Sequence, residues 1–290
     1  MRNKVCLITG ATSGIGFETA LELAKMGATV VVGGRDMEKA SNAVIKIRTE
    51  SNNSNVDFLL GDLSDFEEVK KFAIDFLQQY KQLDVLINNA GAIFKEFDAN
   101  PQDIEMTFAL NLFSPYLLTG LLLEILQNSA PSRIINVSSM VHKMAKNEFQ
   151  NFNKELDYSG LNAYAKSKLA LMHFTYALAE KLKDSGIAVN TMHPGWVKSN
   201  FGSGFYTGFY GFIDTIFKPV QVPPNKAAET VVYLASSNEV ADVSGKYFIK
   251  KKQVTSSQHP TLNWLEKKPG NSVRSKPDLF TKSKKRKKKK

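Results

Sequence analysis

In VCLITGATSGIG, Val5 to Gly16, a short apolar run enters a turn with glycines at 10, 14 and 16, and an apolar-periodic segment follows to Met26. The run reads as a strand and the recurrence behind it as a helix. Glycine suits such a turn because the chain must bend sharply. A backbone without Cβ also lets a pyrophosphate approach the amides at the helix start. The spacing (glycine, three residues, glycine, one residue, glycine) departs from the commoner GxGxxG of dinucleotide-binding turns. A plain glycine-rich connection is the rival reading, and the strand before it and the helix after it weigh against that.

Working outward, the alternation repeats. A second strand, Thr29 to Val32, follows Gly27; then come a helix from about Asp36 to Glu50 and a strand at Val56 to Leu60. Ser64 with Glu67 three residues on predicts a capping box opening the next helix. Strand Val85 to Asn88, a long helical segment through Leu126, strand Arg133 to Val137, a helix around Tyr164 to Leu182 and strand Ile187 to Thr191 complete the series. Strands apolar on both faces, alternating with helices, predict an α/β fold: one doubly wound parallel sheet of Rossmann type with helices on both faces. One domain over residues 1–252 accommodates this. Past about Lys252 the pattern fails, and Pro260, Pro269, Gly270, Pro277 and a lysine run predict a weakly ordered, flexible C-terminal extension over 253–290.

A chain of 290 residues with 43% hydrophobic content can bury a large core, which excludes a disordered protein or a disulfide-stapled miniprotein. Cys6 is the single cysteine, so no intramolecular disulfide forms. The N-terminus carries no signal-peptide pattern and no run of 18 apolar residues occurs; a soluble, cytoplasmic protein is expected. The net charge of +10 is concentrated at the end: from Arg274 to Lys290 ten basic residues stand against Asp278, leaving the rest close to neutral. Lys282 to Lys290 reads as a solvated run, a nuclear address, a contact with an anionic membrane surface, or a nonspecific RNA-binding arm. Nothing with base-reading geometry accompanies it, so specific nucleic-acid recognition is not expected.

The residues after the second strand bear on the cofactor. An acid there suits the ribose 2′-hydroxyl of NAD, an arginine the 2′-phosphate of NADP. This strand ends Gly33, Gly34, Arg35, Asp36. Arg35 is placed for a phosphate and the small Gly34 leaves room without an opposing charge, so NADP is favoured over NAD. The alternatives are that Asp36 turns inward and that Arg35 is only a surface residue.

Tyr164 and Lys168 stand four apart in a helical segment and project from one face. An unperturbed phenol has a pKa of about 10, and lowering it by about 3 units takes roughly 4 kcal/mol. A cation about 4 Å away contributes on that order at an effective dielectric near 20. Alone, the spacing reads more readily as an ordinary half-exposed helical pair, since YxxxK occurs often by chance. Asn88 to Gly91 end a strand, Asn111 lies in a long helix, Ser138 and Ser139 close the next strand, and Pro194 and Gly195 follow another.

With these residues in this order, the chain over about residues 3 to 250 resembles the short-chain dehydrogenase/reductase family, in its retinol-dehydrogenase-like and WW-domain-oxidoreductase-like branch. The resemblance implies hydride transfer between an alcohol and a carbonyl. It makes Tyr164 the general acid/base, Lys168 its cationic neighbour and ribose ligand, Ser139 rather than Ser138 the partner of the reacting oxygen, and Asn111 the anchor of a relay water. It gives the cofactor Gly10, Ser13, Gly14, Ile15 and Gly16 at the pyrophosphate, Arg35 at the 2′-phosphate and Asp62 and Leu63 near adenine. Asn89, Ala90 and Gly91 would lie along the ribose, and Pro194, Gly195 and Val197 at the carboxamide. Family members are commonly dimers or tetramers, so a homo-oligomer is expected on the same ground.

Two departures stand out. Ser139 and Tyr164 are separated by 24 residues, about twice the family's common interval, so Lys143 to Tyr158 is expected to form an added loop. The hydrophobic N-terminal anchor found on many members of that branch is not seen in these residues, so a soluble enzyme is expected. Phe205, Phe209, Phe212, Ile213, Ile216 and Phe217 make one helical stripe between Gly202 and Pro219, read as the cover of a lipophilic substrate, as a face packed on the sheet or another subunit, or, less readily because basic residues are few, as a membrane-surface contact. His142, His173, His193 and His259 form no ligand pair, so no metal is expected, and His193 is read as shaping the turn before Pro194. The rival function, from another class, is a catalytically idle nucleotide-binding scaffold or sensor acting through its basic tail.

Overall fold

The computed structural model describes residues 1–150, 152–195 and 222–255. Among them, β1 (Val5–Ile8), β2 (Thr29–Gly34), β3 (Val56–Leu60), β4 (Val85–Asn88), β5 (Ser132–Val137), β6 (Ile187–His193) and β7 (Tyr247–Ile249) pair in parallel, and β8 (Lys252–Val254) adds an antiparallel edge. The order is β3-β2-β1-β4-β5-β6-β7-β8.

Alternate side chains of each strand feed opposite cores. Cys6, Ile8, Val30, Val32 and Ile87 face α1 (Gly14–Lys25) and α2 (Met37–Ser51). Leu7, Val31, Leu86 and Ile134 face α3 (Phe66–Gln79) and the helices that follow β4. Both faces are covered, which is why the strands read as continuous apolar runs.

The helix starts differ from expectation in two places. Asp65, not Ser64, caps α3, accepting from Glu67 N at 2.9 Å. The Ser64 hydroxyl is already committed, donating to Asp62 Oδ1 at 2.7 Å. The long helical segment after β4 is broken into α4 (Met106–Phe108), a π-helical turn (Ala109–Phe113), α5 (Ser114–Leu121) and α6 (Leu123–Asn128). Glu105 starts it by accepting from Thr107 N at 2.8 Å and Phe108 N at 2.9 Å. Next, α7 (Gly160–Lys181) begins four residues before Tyr164, at the Ser159 cap. Finally, α8 (Pro224–Ser236) packs on α1, and the β7–β8 hairpin lies across the boundary drawn at residue 252.

β1 lies between β2 and β4, and the helix after β1 and the helices after β4 cover opposite faces of the sheet, so a crevice opens at the carboxyl ends of β1 and β4. The glycine turn, Asn89 to Gly91, Ser138 and Ser139, and Pro194 and Gly195 all follow strands at that end.

Candidate active site

The three glycines of the first turn do different work. Gly10 and Gly14 have φ of +63° and +58°, where a side chain is strained. A Cβ on Gly16 would stand 2.6 Å from both Asn89 Nδ2 and the Gly10 carbonyl oxygen, so helix α1 can start this close to β4 only without one. Space above Gly14 is open. Ser13, the residue before α1, makes no side-chain cap and the first turn carries no acid. The helix thus presents uncapped N–H groups and its positive dipole end to the crevice, an environment that fits a diphosphate. Ile15, in the same first turn, is half-buried.

Asn89 serves the turn itself. Its Nδ2 donates to the carbonyls of Thr9 at 2.9 Å and Gly10 at 3.0 Å, while Thr9 Oγ1 accepts from Asn89 N and Ala90 N, each at 3.0 Å. The Nδ2 of the residue expected along the ribose therefore holds the glycine turn to the end of β4. Leu63 is likewise drawn away, since its side chain sits in the core with Val69 and Phe72 and leaves only main chain for a ligand.

At the end of β2, the Asp36 carboxylate caps α2, accepting from Lys39 N at 3.0 Å, a bond that holds its pKa below the ordinary carboxylate range. Arg35 extends into solvent with its guanidinium 3.8 Å from Asp62. Gly34 does not leave empty space as its size suggested: a Cβ there would meet the Thr12 methyl at 2.6 Å.

Deeper in the crevice, Lys168 Nζ donates to the Val137 carbonyl at 2.9 Å and lies 5.7 Å from the Tyr164 ring centroid. Both side chains are buried. Burial lowers the Lys168 ammonium to a pKa of about 8, which leaves it mostly protonated at neutral pH. Gly91 faces this pair: a Cβ there would stand 3.2 Å from Lys168 Nζ and 3.0 Å from Asn111 Oδ1. Asn111, in the π-helical turn, accepts from Ala92 N at 2.9 Å and donates to Ala92 O and Ser167 Oγ at 3.0 Å. The serine pair is resolved by its protons. Ser138 Oγ donates to the Lys168 carbonyl at 3.1 Å, whereas Ser139 Oγ accepts from Val141 N at 3.3 Å and gives its proton to no partner among the described residues.

A family model described as short chain dehydrogenase matches residues 4–206. The chain belongs to that family. It is 40% identical over 257 residues to human (Homo sapiens) retinol dehydrogenase 13, covering 86% of this chain and 77% of that protein. To mouse (Mus musculus) retinol dehydrogenase 14 it is 37% identical over 260 residues, covering 86% and 78%. Among solved structures, a single-residue variant of actinorhodin polyketide ketoreductase with NADPH superposes with a TM-score of 0.69 at 26% identity, covering 85% of this chain and 96% of that one. This short-chain dehydrogenase is thus an oxidoreductase on the retinol-dehydrogenase-like branch.

In this short-chain dehydrogenase the insert expected as an added loop is docked. The Tyr158 hydroxyl donates to Glu105 Oε1 at 2.7 Å, with the Phe94 carbonyl at 3.2 Å. Phe152 packs on Phe108 and Phe113, ring centroids 4.7 and 5.9 Å away. Gly160 follows two residues after Tyr158, and a Cβ there would strike the Phe94 carbonyl oxygen. The insert is thereby tied to the segment that carries Asn111. Missed in the sequence was the buried chain from Asn88 Nδ2 to Asn136 Oδ1 at 2.8 Å and from Asn136 Nδ2 to Thr175 Oγ1 at 2.9 Å, which couples β4 and β5 to α7 beneath the site; polar residues inside apolar strands are its signal. His193 is the last residue of β6, not of the turn after it. Val197, the aromatic stripe of 205–217, His259 and the lysine run of 282–290 lie outside the described residues. No helix among the described residues is long and apolar enough to cross a membrane, and no group of three or more His, Cys, Asp or Glu side chains among them suits a metal ion.

Proposed function

We propose that this oxidoreductase interconverts a lipophilic alcohol and its carbonyl compound, with NADP as the cofactor. One observation carries the reading: a buried ammonium, fixed by the Val137 carbonyl, stands 5.7 Å from the ring of a buried tyrosine beside the bare backbone of Gly91. Gly10 to Gly16 would cradle the diphosphate, with the open face of Gly14 and the uncapped start of α1 as its seat. Arg35 would meet the 2′-phosphate; Asp36 has one carboxylate oxygen committed to capping its helix, which favours the arginine as the cofactor's partner. Gly91, Pro194 and Gly195 would border the nicotinamide, which when bound supplies the hydride.

In the reducing direction Tyr164 gives its phenol proton to the substrate oxygen as the oxygen gains charge, and Ser139 donates a second hydrogen bond to the same atom. The Lys168 ammonium balances the charge left on the phenol. Asn111, its side-chain amide held by Ala92 and Ser167, would anchor the water that returns the proton. Exposed Met140, next to Ser139 in the chain, supports an apolar substrate.

NADPH oxidation against a panel of aldehydes, ketones and quinones tests this, with Tyr164→Phe beside the parent. The variant should bind NADPH like the parent and lose about a hundredfold or more in kcat. A parent that binds NADPH and turns over nothing in the panel returns the molecule to the scaffold reading.

A further inference from the structure

The peptide unit joining Ser139 to Met140 is gripped at both of its polar atoms by an imidazole. Met140 N donates to His193 Nδ1 at 3.1 Å, and the Ser139 carbonyl oxygen lies 2.6 Å from His142 Nδ1. The partners dictate the tautomers. A carbonyl oxygen only accepts, so His142 carries its proton on Nδ1; an amide N–H only donates, so His193 Nδ1 is bare and its proton is on Nε2. Both rings are buried, and Nε2 of each has no hydrogen-bond partner among the described residues. Among those residues, this one peptide is therefore all that either ring hydrogen-bonds.

The reason lies in how the sheet ends. Ser138 N donates to Met192 O at 2.8 Å, the last ladder bond along this edge. The next inward donor is Met140 N, but the β6 chain turns away through Pro194 and Gly195, the latter at φ +95°. The His193 ring reaches back and fills the missing acceptor position. Ser139 is thereby held from two elements: from its own 3₁₀ turn (Met140–Met144) through His142, and from β6 through His193.

We infer that His193 and His142 are positioning residues for Ser139, clamping the peptide that aims its hydroxyl and tying the serine loop to the Pro194–Gly195 loop. This rests on the hydride-transfer reading above. Neither ring is asked to exchange a proton with substrate.

The test uses the full chain with NADPH and a carbonyl the parent reduces. His193→Asn places an amide oxygen where Nδ1 stands, whereas His193→Gln moves it to the Nε2 position. We expect the Asn variant to keep kcat within about threefold of the parent and the Gln variant to lose about tenfold or more, with the NADPH Kd of both unchanged. His142→Asn, which keeps a donor at the δ position, should likewise exceed His142→Leu in kcat. Imidazole ¹⁵N NMR of the parent should report an Nε2–H tautomer for His193 and Nδ1–H for His142, independently of turnover. Equal kcat for the Asn and Gln variants of His193, or the opposite tautomers, overturns the clamp. A parent inactive on every carbonyl overturns the hydride-transfer reading instead, while the tautomers still report on the grip.

Discussion

Replacing Arg35 with alanine should erase the preference for NADPH without touching the affinity for NADH. The guanidinium side chain is 70% exposed and, among the described residues, forms one ion pair, with Asp62 at 3.8 Å. A 2′-phosphate brings nearly two negative charges. At about 4 Å each unit pair is worth about 1 kcal/mol in water and about 4 kcal/mol at an effective dielectric near 20. Exposure places this site toward the water end, so about 2 kcal/mol in total is expected, or roughly thirtyfold in Kd. Asp62 competes for the same guanidinium. Its removal as Asp62→Asn keeps the oxygen that Ser64 donates to and deletes the rival charge, so NADPH should tighten by about threefold. Fluorescence titration of NADPH and NADH against parent, Arg35→Ala and Asp62→Asn gives the discrimination directly. Repeating it near 1 M salt, where the Debye length shrinks from about 10 to about 3 Å, should flatten the parent's preference. If Arg35→Ala weakens both dinucleotides equally, or leaves their ratio unchanged, the charge-pairing argument is wrong.

The remaining expectations concern the frame around the site. Burial depresses His193 to a pKa of about 4 from 6.5, with the charges of His142 and Lys143 acting in the same direction. The unfolded chain therefore takes up the proton first. Stability is at its full value above about pH 6.5, falls as pH drops through the window down to about 4, and loses at most about 3 kcal/mol from this group. Urea unfolding from pH 7 to pH 4.5 should show that slope, reduced in His193→Asn; an identical slope in the variant would reassign it. Tyr158→Phe leaves the buried Glu105 carboxylate one donor short and should cost about 1–3 kcal/mol of unfolding free energy; a neutral variant would mean that the insert is held by Phe152 and Asn153 rather than by this hydroxyl. Gly14→Ala meets open space and should cost only the strain of its positive φ, about 1 kcal/mol. Gly16→Ala, driven into Asn89 and the Gly10 carbonyl, should cost more in the cofactor-free protein; thermal melts that rank the two variants in the opposite order would refute the packing described for the turn.

The fold was legible because its signals are local. Strands buried on both faces show as runs such as Val85 to Ile87, and the helical spacing of Tyr164 and Lys168 places both on one face wherever α7 begins. Illegible were the places where two distant groups compete for one polar atom. The Asn89 Nδ2 is taken up by carbonyls some 80 positions away; the Met140 amide finds its acceptor 53 positions on, in His193. Ser64 and Asp65 are both good caps, and only the claim of Asp62 on the serine hydroxyl decides between them. Gly34 suggested vacancy until the Thr12 methyl was seen to fill it. Composition at strand ends therefore tells which polar groups are present, but chemistry depends on which are left over once the protein has satisfied itself. Ser138 and Ser139 illustrate the difference: two adjacent hydroxyls, one giving its proton to a backbone carbonyl and one still holding it, separated in role by tertiary contacts that no spacing rule contains.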